Sequence, residues 1–593
     1  MKKNTALLLI AAGMFLTKTN AQQFFAQDNY VGALSSDVSK DWTTGWTEWD
    51  PQQKSYPAVT ETSTLDASSA GKLEISSTLT LDASKVYLLK GIIVIKSGGK
   101  LVIPAGTVIR AEADLNTTPK NYASIVVERG GQIEINGTSS NPVIFTSNKN
   151  AGSRNRGDWG GIVLCGKATN NQGSDVQIEG FNNVSFDGTL AKHGGGSDNN
   201  DNSGIIKYCR IEFGGLAFEA NKEINGLTFG SVGKSTTIDN IQISFGGDDS
   251  YEWFGGNVQC KHLISFKTTD DDFDTDYGYQ GAVQYGIGVR DTAYYDLSYN
   301  AASGASTSEG FESDNDAGGS GKMPYTNAVF SNMTMVGPVY VGNTWANLTS
   351  VQKAAFRRGV RIRRNSRISI VNSIFMGYRN FVYFDGDSTM VASGAADSSF
   401  PSNMAFRNNL IVNSGAAFTP ASSTANGLVE VSNAIYLNKF DGWLKASTNA
   451  NNINPVAYTS KTVLEDPNHP TAPNFRPVST SPALSGAGWT TKRLLDYGVY
   501  NHVKGFDNLV SYSIYPNPAN SVIYADLFLL NNSNVNISIL DLNGKTIQES
   551  RKHELHAGEN RIELDVKNLN NGLYLIHVQS ASGNMSSRVM IQN

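Results

Sequence analysis

Short runs in which apolar and polar residues alternate recur at regular intervals along most of the chain. Segment 93–103 aligns without gaps on segment 125–135, an offset of 32 residues, and each copy is an apolar strand, a Gly-Gly turn and a second strand. Segments 206–215 and 238–247 repeat with the same offset. Alternation predicts strands with one buried face, and a fixed period predicts that successive strands stack as the coils of a solenoid.

Three later segments, 330–335, 371–376 and 431–436, carry apolar residues at alternate positions beside a recurring Asn or Ser. In a parallel β-helix the inward residues of successive coils form an apolar column, and Asn at a turn can stack in a ladder. We therefore predict an all-β chain in which residues 86–505 form a right-handed parallel β-helix and residues 22–85 an N-terminal cap or first coils.

Three tryptophans, Trp42, Trp46 and Trp49, lie in the N-terminal part. An open β-helix end exposes unpaired strand edges that invite aggregation, so these residues are expected to cover the first coil. Stacking on sugar rings is the alternative.

From about Ser511 the pattern changes to short alternating strands, with Asn543-Gly544 as a hairpin signal, which predicts a small β-sandwich over residues 511–593. In order and spacing, this segment resembles the type A C-terminal sorting domain of the type IX secretion system of Bacteroidetes. The motif residues are Tyr515, Pro516, Asn517, Pro518, Asn543, Gly544, Gly572 and Tyr574. The resemblance implies that a translocon carries the chain across the outer membrane and that a sorting protease removes the domain. The mature protein is then attached to lipopolysaccharide or released.

The N-terminus has the pattern of a secretory signal peptide. Lys2 and Lys3 precede an apolar run over residues 6–16, and small residues allow cleavage before Gln22, so residues 1–21 are expected to be removed. The run is too short to span a bilayer, which needs about 20 apolar residues, and no transmembrane segment is predicted. The chain is therefore expected to be secreted or held at the outer-membrane surface.

The net charge and the cysteine content further restrict the class of protein and the way in which its fold is stabilised. The net charge of −5 and the pI of about 5.9 provide no basic field, which disfavours nucleic-acid binding. The three cysteines, Cys165, Cys209 and Cys260, are far apart and odd in number, so disulfides do not organise the fold. Cys209 aligns with Ile241 in the repeat and is predicted to be a core residue.

A dense cluster of carboxylates suggests a metal site. Eight of them would repel one another strongly unless neutralised, and extracellular calcium is the expected remedy. A 22-residue offset predicts that Asp248-Asp249 and Asp270-Asp271 share a corner of adjacent coils, with a later acidic loop completing the site; a solvated acidic turn is the alternative. The predicted metal ligands are Asp248, Asp249, Glu252, Asp270, Asp271, Asp272, Asp274 and Asp276, and the later loop contains Glu309, Glu312, Asp314 and Asp316.

Arginines cluster farther along the chain. Arg357, Arg361 and Arg363 belong to a segment without acidic residues, and two of them share one face of a predicted strand. Guanidinium groups in a row can hold the carboxylates or sulfates of an acidic polysaccharide through bidentate hydrogen bonds. They can equally pair with the acidic loops of the chain.

Segments 157–164 and 474–484 resemble parts of secreted bacterial β-helix proteins, the second being similar to a closing coil. The leading hypothesis is a surface or secreted β-helix that binds carbohydrate or another extracellular polymer, with calcium as a structural ion. The alternative is a calcium-dependent polysaccharide lyase or glycoside hydrolase on the same scaffold, with catalytic residues that the sequence does not identify.

Overall fold

The structure is a computed structural model that describes residues 24–592, except 182–187, 220–221, 297–306, 341–344, 393–403, 413–421, 455–459, 490–493, 495–508, 530, 543, 550–551 and 582. The predicted signal peptide, 1–21, lies outside the described residues. The chain divides into two compact units, residues 25–488 and a unit that contains Trp489–Asn593.

The first unit is built on two parallel sheets that the chain visits alternately. The first parallel sheet has 11 strands, each hydrogen-bonded to the next in the stack. Its strands are Lys72–Ile75, Ile92–Ile95, Ser124–Val127, Ile162–Cys165, Leu227–Val232, Tyr251–Gly256, Phe273–Asp276, Phe311–Ser313, Arg358–Arg363, Asn380–Asp385 and Val429–Val431.

The second parallel sheet has 16 strands and forms the other wall of the coils. Its strands are Thr78–Thr80, Val86–Leu89, Lys100–Pro104, Val108–Ala111, Gln132–Asn136, Val143–Ser147, Gly204–Glu212, Thr237–Ser244, Gln259–Phe266, Ala282–Val289, Val329–Val336, Ser369–Val371, Ile374–Met376, Phe406–Arg407, Leu410–Val412 and Asn452–Asn454. The stacked strands therefore run from Lys72 to Asn454 and form a parallel β-helix, as the repeats predict.

Strand register confirms both repeats of 32 residues. Ile93 pairs with Ile125, and Leu101 pairs with Ile133 one sheet farther along the coil. Cys209 pairs with Ile241 and is fully buried, as predicted for a core residue. All three cysteines are free and buried.

One corner of the coil repeats with the same backbone conformation. Seven residues at equivalent register positions of the second sheet have positive φ angles between 47° and 64°, a region that Asn tolerates better than most residues. Four of them are Asn, and these include Asn332 and Asn372 of the predicted segments. Segment 431–436 differs, because Val431 ends a strand of the first sheet and Asn433 caps the 3-10 helix Ala434–Tyr436. The seven are Tyr208, Asn240, His262, Tyr285, Asn332, Asn372 and Asn408.

Inward-facing side chains fill the space between the two sheets with aliphatic and stacked aromatic residues. Trp253 lies parallel to Phe229 at 5.3 Å between ring centroids, and Tyr251 lies parallel to Phe273 at 5.5 Å. Because neighbouring coils are about 4.8 Å apart, aromatic residues at equivalent positions stack along the axis.

Residues 25–57 form an extended strap along the side of the second parallel sheet. Trp42 contacts His262 at 4.9 Å between ring centroids, and Trp46 and Trp49 pack in the same apolar cluster. The tryptophans expected at the first coil thus lie beside middle coils. They do not cap the first coil but cover apolar side chains on the outer face of the second sheet.

Besides the stacked strands, this unit contains antiparallel strand pairs and short helices. The residues expected to form a closing coil instead pair antiparallel, Leu464–Asp466 with Asn474–Pro477, while Val176–Gln177 pairs with Lys192–His193 and Ala217–Glu219 with Lys222–Glu223. The α-helices are Ser350–Ala355, Asp387–Ala392, Leu437–Lys445 and Ser460–Val463. The 3-10 helices are Val38–Lys40, Trp345–Asn347, Ala434–Tyr436, Ser447–Asn449 and Pro482–Leu484.

The longest α-helix among the described residues, Leu437–Lys445, packs on the last coils. Its Phe440 stacks on Phe384 at 3.8 Å, and Trp443 lies edge-on to Phe406 at 5.7 Å. This helix buries the apolar side chains that the final coils leave without a following coil.

The second unit is a small antiparallel β-sandwich with its own core. One sheet contains Leu509–Tyr515, Val522–Leu529 and Gly558–Asp565, and the other contains Ser533–Leu540, Thr546–Glu549, His553–Leu555, Gly572–Ser580 and Gly583–Ile591. The predicted hairpin joins Ser533–Leu540 to Thr546–Glu549, with Gly544 at a φ of 82°; Asn543 lies outside the described residues.

The remaining sorting-motif residues lie on this sandwich. The Tyr515 hydroxyl donates to Asp526 at 2.7 Å, the Tyr574 hydroxyl donates to the Asn570 carbonyl at 3.0 Å, and Gly572 begins a strand. Pro516, Asn517 and Pro518 are exposed. In the described part of the chain, no helix is long and apolar enough to cross a membrane.

Candidate metal centre

The acidic residues lie just before three consecutive strands of the first parallel sheet and on the outer face of those strands. Tyr251 pairs with Phe273, and Phe273 pairs with Phe311. The acidic residues just before these three positions therefore lie in register on adjacent coils, and so do the outward-facing acidic residues just after them. The pairing confirms the 22-residue offset between Asp249 and Asp271. On the second sheet the same two coils are also offset by 22 residues, because Ser244 pairs with Phe266.

The corner itself is held by a ladder of carboxylates that accept backbone hydrogen bonds from the next coil. Asp249 Oδ1 accepts from the Asp271 amide at 2.7 Å, and Asp271 Oδ1 accepts from the Glu309 amide at 2.6 Å. Glu309 Oε2 accepts from the Arg358 amide at 2.9 Å. These bonds fix one oxygen of each carboxylate and align the acidic corners of three coils with the Arg358 corner of the fourth.

Seven carboxylates come together in three overlapping groups. Within each group one oxygen per residue lies within 4.8 Å of the others, and Asp249 and Asp274 each belong to two groups. Oxygens that share a calcium ion at about 2.3–2.6 Å must lie this close. The groups are Asp248 with Asp249 and Asp270, Asp249 with Glu252 and Asp274, and Asp271 with Asp274 and Glu312.

Burial makes this arrangement of charges costly without a cation. Burial raises the pKa of Asp249, Asp271 and Asp274 well above the ordinary range, and repulsion from neighbouring carboxylates raises it further. The pKa of Glu252 is raised for the same two reasons. Asp274 Oδ1 is buried and accepts no hydrogen bond from the described residues. The donor set therefore fits a hard divalent cation, which prefers carboxylate oxygens.

Two predicted ligands lie elsewhere. Asp272 faces the interior of the coil, where its Oδ2 lies 3.1 Å from Arg290 Nε and both side chains are fully buried. Asp276 lies on the outer face but in none of the three groups, and its Oδ1 accepts from the Tyr277 amide at 2.6 Å. Asp272 differs from Asp274 and Asp276 because it precedes the strand Phe273–Asp276, at the corner of the coil, where the alternation of faces within the strand does not yet apply.

The arginines pair with carboxylates of the chain on the next coils. Arg361 contacts Glu312 at 3.1 Å and Asp385 at 2.8 Å, and Arg363 contacts both Glu312 and Asp314, the latter at 2.7 Å. Of the two sequence interpretations, internal pairing therefore describes the contacts present.

The same ion-paired row continues at the corner. Arg357 contacts Glu430 at 3.0 Å, and Arg358 contacts Glu309 at 3.0 Å and Glu430 at 2.8 Å. Glu309 and Asp314 thus form ion pairs with the arginines. Glu312 also pairs with arginines, but it belongs to the third carboxylate group as well.

Comparison with family models places residues 73–451 in the pectate-lyase-like β-helix domain family. That segment is well over half of the chain. The chain belongs to this family. Residues 513–592 match the secretion system C-terminal sorting domain. This β-helix protein is therefore exported through the type IX secretion machinery to the cell surface or the extracellular space.

Other comparisons add little. The comparison with curated proteins found no match. One similar solved structure is the enzymatically active domain of tailspike protein 2 of bacteriophage CBA120, at 10% identity and a TM-score of 0.22 over 86% of this chain and 72% of that chain. At that TM-score the likeness carries no argument about the site.

The sequence pattern did not indicate several residues that support the candidate site of this pectate-lyase-like β-helix. Arg290 donates to the carbonyl oxygens of Asp270 and Glu309 from inside the coil, which holds the acidic corner from behind. Asp385 and Glu430 complete the arginine row from later coils. No sequence spacing indicates these partners because insertions of different lengths separate the coils.

Proposed function

We propose that this exported β-helix binds an acidic extracellular polysaccharide through calcium held by the carboxylates of the first parallel sheet, without covalent chemistry. The observation that carries the proposal is the set of three overlapping carboxylate groups with Asp249 and Asp274 shared between them. Calcium takes six to eight oxygen ligands, and an ion that the protein coordinates incompletely can bind the carboxylates of a uronate chain.

The position of the groups supports exchange with an external ligand. Asp248, Asp270 and Asp274 are partly exposed, whereas Asp249 and Asp271 are buried behind them. The buried carboxylates therefore anchor the ion, and the partly exposed edge leaves it accessible to a polymer.

The nearby arginines are poor candidates for the base of a lyase reaction. Burial lowers the pKa of Arg361 and Arg363, but contacts with Glu312 and other carboxylates outweigh burial and hold both pKa values above the ordinary range. A residue that removes a proton must first be neutral. The contacts thus favour binding over the alternative of calcium-dependent elimination.

Calcium binding is tested by calorimetry and thermal unfolding of the exported protein. Calcium at about one hundred times its Kd should stabilise the folded state by about 2.7 kcal/mol relative to EDTA. Asp274→Asn, which changes a residue shared by two groups, should weaken calcium binding at least about tenfold. Asp239→Asn is the matched control because Asp239 pairs with His262 at 2.7 Å on the second sheet.

Polymer binding is tested by affinity electrophoresis in gels that contain polygalacturonate or alginate. Calcium should retard the wild type and Asp239→Asn, and EDTA or Asp274→Asn should abolish the retardation. Release of unsaturated or reducing ends from either polymer would contradict a binding role and favour the lyase or hydrolase alternative. Equal mobility with and without calcium would contradict the proposal itself.

A further inference from the structure

A cleft lies away from the carboxylate groups, between the N-terminal strap and the antiparallel pair formed by Leu464–Asp466 and Asn474–Pro477. It has a volume of about 380 Å³, at the small end of the range for ligand pockets. Trp49 and Phe475 provide its apolar surface, and Asp41, Thr44 and Arg476 are among its polar residues.

The aromatic wall of this cleft is held in place from behind. The Trp49 ring lies 5.1 Å from Phe266 and 5.5 Å from Phe475, at interplanar angles of 74° and 55°. Beside it, the Glu48 amide donates to Gln242 at 2.8 Å, and the Gln242 side chain donates back to the Glu48 carbonyl at 2.7 Å. The indole is therefore a rigid platform, although its N–H donates no hydrogen bond to the described residues.

The polar groups of the cleft retain unused hydrogen-bonding capacity. Asp41 Oδ1 accepts from the amide and hydroxyl of Thr43, while Oδ2 lies 3.7 Å from Arg476 Nε, beyond hydrogen-bonding distance. The Arg476 guanidinium donates no hydrogen bond to the described residues. Asn474 accepts from the Arg476 amide through Oδ1, which leaves its side-chain NH₂ available.

These features select the chemistry of the ligand. One carboxylate and one guanidinium give the cleft no net charge, which disfavours phosphates and uronates. Adjacent donors and acceptors match the vicinal hydroxyl groups of a sugar, and an indole ring packs against the C–H groups of a pyranose. We propose that this cleft binds a neutral hexopyranose unit of an extracellular glycan, independently of calcium.

The test uses saturation-transfer NMR on the exported protein in EDTA. The probes are methyl α-D-glucopyranoside, methyl α-D-mannopyranoside and methyl β-D-galactopyranoside, and at least one should receive saturation. Arg476→Met keeps the side-chain stem but removes the donors, and should weaken binding about tenfold. Thr44→Lys introduces a bulky side chain at an exposed position of the cleft and should also abolish the signal.

Arg156→Met is the matched control because Arg156 stacks over Tyr294 outside the cleft. It should retain wild-type saturation transfer. Absence of transfer for all three probes would overturn the proposal, as would equal transfer in the wild type, Arg476→Met and Thr44→Lys. Transfer that requires calcium would also overturn it. Calcium affinity and retardation by polygalacturonate report separately on the carboxylate groups, and Arg476→Met should leave both unchanged.

Discussion

Asp272 and Arg290 form an ion pair inside the β-helix, where neither side chain is exposed. Burial raises the pKa of Asp272 to about 6, although Arg290 opposes the shift. Ser265 donates to the other carboxylate oxygen of Asp272 at 2.5 Å. The pair is therefore a structural feature behind the acidic corner rather than part of the cation site.

Asp272→Asn should reduce the free energy of unfolding by about 3–5 kcal/mol because it leaves the Arg290 charge buried without a counterion. Urea unfolding measures the change. The double variant Asp272→Asn with Arg290→Met should recover part of the loss, since no buried charge then remains unpaired. A double variant that is less stable than Asp272→Asn would contradict this account.

At the scale of the element, the repeated corner of the second parallel sheet depends on a left-handed backbone. Asn240 has a φ of 56°, is nearly buried and makes no side-chain hydrogen bond to the described residues. Its contribution is therefore mainly conformational. A side chain with a β-carbon costs roughly 1–2 kcal/mol in this region, whereas Gly does not.

Asn240→Ala should accordingly be less stable than Asn240→Gly, by about 1 kcal/mol in chemical denaturation. Thr237 provides the matched control because it lies in the same strand without a positive φ. There the ordinary order should hold, with Thr237→Ala more stable than Thr237→Gly. The same order of Ala and Gly at both positions would contradict the conformational explanation.

The carboxylate groups make the stability of the coils depend on pH. Their folded-state pKa values are raised, so the stability that they contribute is fully present below the unfolded pKa of about 4 and is lost as the pH rises. In EDTA the free energy of unfolding should therefore fall as the pH is raised from about 4 toward 8. Under the proposed function, calcium at the ionised carboxylates should remove most of this decline.

Urea unfolding at a series of pH values, with EDTA or with calcium, measures both slopes. Asp249→Asn should flatten the decline in EDTA because it removes one of the shared carboxylates. Identical slopes with and without calcium would show that no cation binds the ionised groups.

At the scale of the whole molecule, a long parallel β-helix is joined to a β-sandwich with a separate core. The sandwich buries its own set of apolar side chains, among them Ile537, Ile576 and Val589. Because each unit has its own core, removal of the sorting unit should leave the β-helix folded.

Deletion of residues 511–593 should therefore leave a folded protein in the periplasm. Fractionation with immunoblotting measures its location, and circular dichroism dominated by β-structure checks the fold. Ala substitution of exposed Glu563 is a full-length control that should be exported normally. Equal amounts of truncated and full-length protein at the cell surface or in the medium would contradict the assignment of the sorting unit.

The alternating residues and the repeat offset predict much of this fold and part of the candidate site. Ile93 and Ile125, or Asp249 and Asp271, are separated by one coil without a large insertion, so their offset along the chain predicts their pairing in space. The sorting motifs are contiguous, and local strand and turn preferences suffice to predict a sandwich.

Only the tertiary structure decided which polar and charged groups meet. Arg361 reaches Glu312 across 49 residues, and Glu48 meets Gln242 across 194, because insertions and the returning strap bring distant segments together. Asp271 and Asp272 are adjacent in sequence yet lie outside and inside the coil. The sequence alone determined the repeated strands, the sorting domain and the local density of acidic residues. The face to which each side chain points, and the partner that neutralises it, depend on strand register and on the path of the connecting loops, which are set only when the coils stack.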